Sequence, residues 1–155
     1  MTSDYISKAT MEAAVGLVVI NAGERSNAMT VSMYSEVAHH PTALWVSIAK
    51  TSFTHELLQQ QPQFSMVVLH HHQADIALKC GSVSGRTKQK CSNLDLYKNP
   101  SGFLFLRNAL ASTSCRVRQT MDVGDHTLVI ADILEAELES KKSHLRQLLL
   151  SDLTT

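Results

Sequence analysis

Residues 15–20 (VGLVVI) form an apolar run broken only by Gly16, and its β-branched character predicts a buried strand. Asn21-Ala22-Gly23-Glu24 then reads as a hairpin turn. From Met29 to Val37 the pattern alternates. Met29, Val31, Met33 and Val37 take one parity and Thr30, Ser32, Tyr34 and Glu36 the other, which predicts one half-buried strand with a polar face. His39-His40-Pro41 ends it, and residues 43–49 (ALWVSIA) begin the next strand. A helix is predicted over 54–60, with Thr54 as N-cap and Glu56 in the first turn. Residues 64–69 (FSMVVL) read as a strand, 73–79 as a helix, 81–85 as a loop and 86–91 as a short basic helix. The stretch 94–102 is a connection punctuated by Asn99-Pro100. Alternation returns over 109–118 and 126–138, around a turn at 122–125. At the ends, 7–14 predicts a short helix. The tail from 140 predicts another, with Leu145, Leu148 and Leu149 on one face.

About six strands with a few short helices make this a mainly β chain. The connections are too short for a doubly wound sheet, so a small antiparallel or Greek-key barrel is expected. The 155 residues suit a single domain, with its core at about 13–138 and a helical tail at about 140–153. Lys plus Arg and Asp plus Glu are each 14, so the balanced charge argues against a nucleic-acid partner. Three widely spaced cysteines, Cys80, Cys91 and Cys115, argue for a reducing compartment rather than a disulfide framework. With no basic leader and no long apolar span, the chain is expected to be cytoplasmic and free of the membrane.

Three segments carry chemistry. In Ala49-Lys50-Thr51-Ser52-Phe53-Thr54-His55-Glu56 a strand ends, a cation and three hydroxyls follow, and a helix starts. Such a junction offers a phosphate unpaired N–H groups, a positive dipole end and a point charge, although Ser and Thr are also ordinary caps. Residues 27–35 (NAMTVSMYS) carry Thr30, Ser32 and Ser35, which can meet one ligand only if the strand bends or bulges near Tyr34. Gly124-Asp125-His126-Thr127 delivers a His at a strand start. The run His70-His71-His72 cannot converge on a metal from a regular strand, so no metal site is expected.

Read together, these segments resemble the flavin reductase-like FMN-binding split-barrel family. NAMTVSMYSEVAHHP is similar to its first flavin strand and SIAKTSFTHELL to its phosphate segment. CGSVSGRTKQK is similar to its SGR segment, and GDHTLVIADILEAEL to its GDH strand. Four motifs in the family's order span about 13–138. The resemblance implies a split β-barrel that binds FMN, with FAD as the alternative, in a homodimer. It implies that Lys50, Ser52 and Thr54, with Ala49 beside them, hold the phosphate. Thr30, Ser32 and Ser35 would line the ribityl chain and ring, and Ser84 and Arg86 would lie near the flavin, from the same or the second subunit. His126 would face the nicotinamide, the one catalytic position implied. The implied reaction passes a hydride from NAD(P)H to flavin; the alternative is a non-catalytic or electron-carrying FMN protein of the same fold. The sequence departs from the family pattern at Val67, in place of an Asn, and at Gln89 and Cys91 after the SGR segment. It also lacks the family's last aromatic strand pair.

Overall fold

The structure, a computed structural model, describes residues 12–138 and 144–153. The predicted helix over 7–14 lies mostly outside them. Nine strands, two α-helices and three short 3-10 turns make up the described chain. The strands are β1 (Gly16–Ile20), β2 (Asn27–Val31), β3 (Tyr34–His39), β4 (Thr42–Ala49), β5 (Gln63–Val68), β6 (Leu96–Lys98), β7 (Leu104–Leu106), β8 (Ala111–Val123) and β9 (His126–Leu138). The helices are α1 (Phe53–Gln60) and α2 (Ala74–Ser82). Seven strands form one sheet in the order β2-β1-β5-β8-β9-β4-β3, with every pairing antiparallel, and β6–β7 form a separate hairpin. The mainly β expectation holds.

The predicted single strand over Met29 to Val37 is two strands. β2 ends at Val31 and β3 starts at Tyr34, and these are the two opposite edges of the sheet. Only Ser32 and Met33 join them, so the sheet curls enough to bring the end of one edge strand to the start of the other. There the Ser47 amide of β4 donates to the Met33 carbonyl at 2.9 Å.

The curl creates two cores, one on each side of β1. Val18 and Ile20 point inward with Val46, Ile48, Phe64, Met66 and Val129, under α1 residues Phe53, Leu57 and Leu58. Leu17 and Val19 point outward, where α2, β7 and the tail cover them through Ala77, Cys80, Leu106 and Leu148. A strand buried on both faces explains why 15–20 is a continuous apolar run rather than an alternation.

Three local expectations are corrected. Residues 86–91 form no helix: turns occupy 85–87 and a 3-10 turn spans Cys91–Asn93. The connection over 94–102 contains β6 and leads into β7. The described part of the tail is not an α-helix but runs extended between two segments before a 3-10 turn at Leu150–Leu153. Leu148 donates to the Leu69 carbonyl at 2.9 Å and accepts from the Val15 amide at 2.7 Å. With its backbone captured on both sides and its side chain fully buried, Leu148 contributes about 1.5–3 kcal/mol that an exposed helix would forgo.

Candidate functional site

The end of β4 builds the first half of the site. α1 is capped by Ser52 rather than by the predicted Thr54: the Ser52 backbone is extended, and its Oγ accepts from the His55 amide at 3.1 Å. The same hydroxyl donates to the Ala49 carbonyl at 2.7 Å, which locks the corner between strand and helix. Thr54 lies inside the first turn, fully buried, where its Oγ1 accepts from Asn27 Nδ2 at 3.0 Å. Ala49 pairs with His126 across β4–β9, and the Lys50 amide donates to the Asp125 carbonyl at 2.9 Å. Strand pairing thus brings Lys50 and His126 to one corner from 76 residues apart in sequence. Gly124 makes the hairpin there possible by adopting a φ of +59°. The Lys50 ammonium lies 3.0 Å from the exposed Asp122 carboxylate. His126 Nδ1 lies 2.8 Å from Asp125, and that hydrogen bond holds the Asp125 carboxyl below its ordinary value.

The loop after α2 closes the same corner. Ser84 Oγ accepts from the Arg86 amide at 3.2 Å, and Arg86 Nη1 donates to the Thr51 carbonyl at 2.8 Å. Arg86 and Arg25 both reach Glu56, at 3.3 and 2.8 Å, and both guanidiniums lie over the Phe53 ring. Hydrogen bonds from Arg25 first, and then from Arg86, hold the Glu56 carboxyl below its ordinary range. Exposed ion pairs contribute at most about 1 kcal/mol each, so this network orients the guanidiniums more than it stabilises the fold. Gly85 presses onto Asn27 so closely that a Cβ would stand 2.1 Å from Asn27 Oδ1 and 2.8 Å from the Phe53 ring. Only glycine lets the loop sit there.

The second half is a cleft of about 860 Å³ at the other end of β4, lined by Ser32, Tyr34, Ser35, Leu44, Trp45 and Met66 among others. The interruption of the strand at Ser32-Met33 is the bend that brings Ser32 and Ser35 to one wall. The Tyr34 hydroxyl is buried without a partner, and burial pushes its pKa up to about 12. The described tail supplies Gln147 and Leu150 to the rim.

Of the residues singled out from sequence, Ala49, Lys50, Ser52, Thr54, Ser84, Arg86 and His126 gather at the first corner, and Ser32 and Ser35 at the cleft. Thr30 joins neither. It points to the outer core, where its Oγ1 donates to the Ala77 carbonyl of α2 at 2.5 Å. Val67 faces that outer core too, fully buried. Lys90 caps the end of α2, donating to the Cys80 and Val83 carbonyls at 2.8 and 3.1 Å. Burial pushes the Cys91 and Cys115 thiols up to about 11 and about 12, which makes them poor nucleophiles. Sequence reasoning missed Arg25, Phe53 and the supporting role of Asn27. The nearest signal was the opening Asn of the NAMTVS motif. Among the described residues no group of three or more His, Cys, Asp or Glu could hold a metal, and no helix is long and apolar enough to cross a membrane.

The donor set suits a flavin nucleotide. One end offers an ammonium and a capped helix start to a phosphate, and the other offers an indole, small hydroxyls and an apolar wall to a flat ring system. From Trp45 to Lys50 the strand runs roughly 17 Å, at about 3.4 Å per residue.

The family model described as flavin reductase like domain matches residues 9–152. The reductase component of the FADH(2)-dependent resorcinol hydroxylase of Rhizobium sp. (strain MTP-10005) is 32% identical over 117 residues, covering 74% of this chain and 64% of the relative. The chain therefore spans less than two thirds of that protein. FMN reductase (NADH) SmoA of Agrobacterium fabrum is 29% identical over 122 residues, covering 79% of this chain and 68% of the relative. Among solved structures, the FMN-binding protein of Thermus thermophilus with bound 1-cyclohex-2-enone superposes with a TM-score of 0.82 at 24% identity, covering 86% of this chain and 75% of that one.

Proposed function

The chain belongs to the flavin reductase-like domain family, and from that premise we propose that it binds a flavin nucleotide and reduces it with NAD(P)H. The observation that carries the reading is the two-ended site along β4, ionic at Lys50–Ser52 and apolar at the cleft beside Trp45. Relatives that are named as NADH-dependent FMN reductases and as a reductase component support the same activity.

Bound at this site, the flavin supplies the two-electron acceptor for the nicotinamide hydride. The Lys50 ammonium neutralises phosphate charge, and the Ser52 cap keeps the first amides of α1 directed at it. Asn27, Thr54 and Gly85 fix the corner that holds these donors. Ser32 and Ser35 offer hydroxyls to the polar edge of the ring, while Trp45, Leu44 and Met66 exclude water from its face. Ser84 holds the Arg86 loop in place. His126, tethered by Asp125 and paired with Ala49, lies at the phosphate end and not at the ring cleft where the sequence reading would have it face the nicotinamide. Hydride transfer itself requires no proton from it. The gain comes from stacking the two rings at reacting distance.

A homodimer completes the reading. Met121 and Val123 are 54% and 51% exposed on β8, paired with Leu128 and His126 of β9, and a second copy would cover this apolar face beside the site. Three free cysteines suit the cytoplasm. Anaerobic titration with NADH tests the activity: the absorbance of protein-held flavin should bleach in proportion to NADH consumed. Flavin that binds and stays oxidised under NADH and NADPH would overturn the reductase reading.

A further inference from the structure

Among the described residues Lys90 is the one lysine or arginine that is buried, at 8% exposure. Its ammonium meets no carboxylate. Nζ donates instead to two neutral acceptors, the Cys80 carbonyl at 2.8 Å and the Val83 carbonyl at 3.1 Å. Burial lowers its pKa below the ordinary lysine value, and the titratable groups facing it, the Cys80 thiol of α2 and the Cys91 thiol, act the other way. A buried charge without a counter-ion is costly, and an apolar side chain of similar size is often the more stable choice. Part of that cost is offset because both acceptors lie at the C-terminal end of α2, where carbonyls lack helical partners and a cation meets the negative end of the dipole.

The place of Lys90 along the chain shows what the charge does. The backbone leaves α2 at Val83 and returns at Lys90, so these two hydrogen bonds close the neck of the loop over 83–90. The tip of the loop is tied to itself: Ser84 Oγ accepts from the Arg86 amide at 3.2 Å, and Thr87 Oγ1 donates to the Ser84 carbonyl at 3.1 Å. The tip therefore moves as one piece, and its direction is set at the neck. From that tip Arg86 reaches the Thr51 carbonyl at 2.8 Å, which orders the turn between Lys50 and Ser52 and brings a second cation to it. Resting on the flavin-binding reading above, we infer that Lys90 is a positioning residue for the flavin phosphate: it touches no ligand, and by clamping the neck of the 83–90 loop it holds Arg86 at the phosphate corner.

The test is fluorescence titration of the purified full chain with FMN and riboflavin, for the wild type, Lys90→Met, Arg86→Ala and the double variant. Lys90→Met should raise the Kd for FMN about tenfold and that for riboflavin, which has no phosphate, less than about twofold. Because Lys90 acts through Arg86, the double variant should bind FMN within about twofold of Arg86→Ala alone. General damage to the fold would weaken both flavins and add to the loss caused by Arg86→Ala. Should Lys90→Met fail to fold, the same comparison is read from Lys90→Gln, which keeps an uncharged donor and should shift FMN in the same direction. Equal weakening of FMN and riboflavin, additive losses in the double variant, or unchanged FMN binding in the Lys90 variant each overturns the inference. In all three cases wild-type FMN binding stays intact, whereas a wild type that takes up neither flavin would sink the flavin-binding reading itself.

Discussion

The two ends of β4 are built by opposite means. At Lys50 the functional groups are closely tied to one another: the Ser52 hydroxyl makes two hydrogen bonds, Arg86 reaches Thr51 and Glu56, and Gly85 is wedged against Asn27, whose Nδ2 is bonded to Thr54 although its Oδ1 has no hydrogen-bond partner. At Trp45 the wall is apolar, the cleft is wide, and the one buried hydroxyl, that of Tyr34, has no partner. The difference matches what each end must recognise. A phosphate is a small dense charge that demands fixed donors, whereas a flat ring needs area and exclusion of water. The tight end should therefore be brittle to substitution and the open end forgiving.

Gly85→Ala should produce the largest effect. Its Cβ would overlap Asn27 Oδ1, costing about 1–3 kcal/mol of stability by overpacking and displacing the Arg86 loop from the corner. Chemical denaturation and FMN titration should both register it; a variant unchanged in both would show that the corner is not tight. Trp45→Ala should act on the open end alone, weakening FMN and riboflavin by the same factor, about tenfold, since the ring loses a stacking surface. A loss for FMN only would place the ring elsewhere.

Acid should separate the ends next. Hydrogen bonds from Arg146, reinforced by the Leu149 amide, hold the Asp152 carboxyl far below its ordinary value. A depressed folded-state value means that this clamp on the tail is intact above about pH 4, the unfolded carboxylate value. It weakens as pH falls from there toward the folded value. Because Gln147 and Leu150 rim the cleft, hydrogen exchange corrected for intrinsic rate should show tail amides loosening at pH 3 in wild type and already at neutral pH in Asp152→Asn, while α1, whose Glu56 makes its own acid-sensitive pairs, is unmoved by that substitution. Loosening of α1 by Asp152→Asn would deny that the ends are independent. Tyr34→Phe should do least. It removes a hydroxyl that is buried without a partner, so thermal denaturation should show neutrality or a gain of up to about 1 kcal/mol.

Much of this was legible in the sequence because strand periodicity survives folding. The buried run at 15–20, the β4 strand and the long β8–β9 hairpin lie close to where the pattern puts them. The Lys50–Ser52 junction was legible for the same reason, since a strand end followed by hydroxyls and a helix is a local event. What failed depended on contacts between distant segments. Alternation continues straight through Ser32-Met33, with no Gly or Pro to mark the break, so the move from one sheet edge to the other leaves no trace. Parity put Thr30 and Ser32 on one face, but it could not show that α2 would cover the side Thr30 takes. The leucine spacing of the tail suits a helix as well as an extended segment, and only the free edges at Val15 and Leu69 decide between them. The Arg25–Glu56–Arg86 cluster joins three separate segments and had no signature at all.

The central claim, that a flavin lies along β4 with its phosphate at Lys50, is tested most directly by titrating wild type and Lys50→Ala with FMN and with riboflavin. The account predicts that wild type prefers FMN by about tenfold or more, and that the preference collapses in the variant while riboflavin affinity holds. Equal affinity of the wild type for the two flavins, or an FMN preference that survives without Lys50, would contradict it.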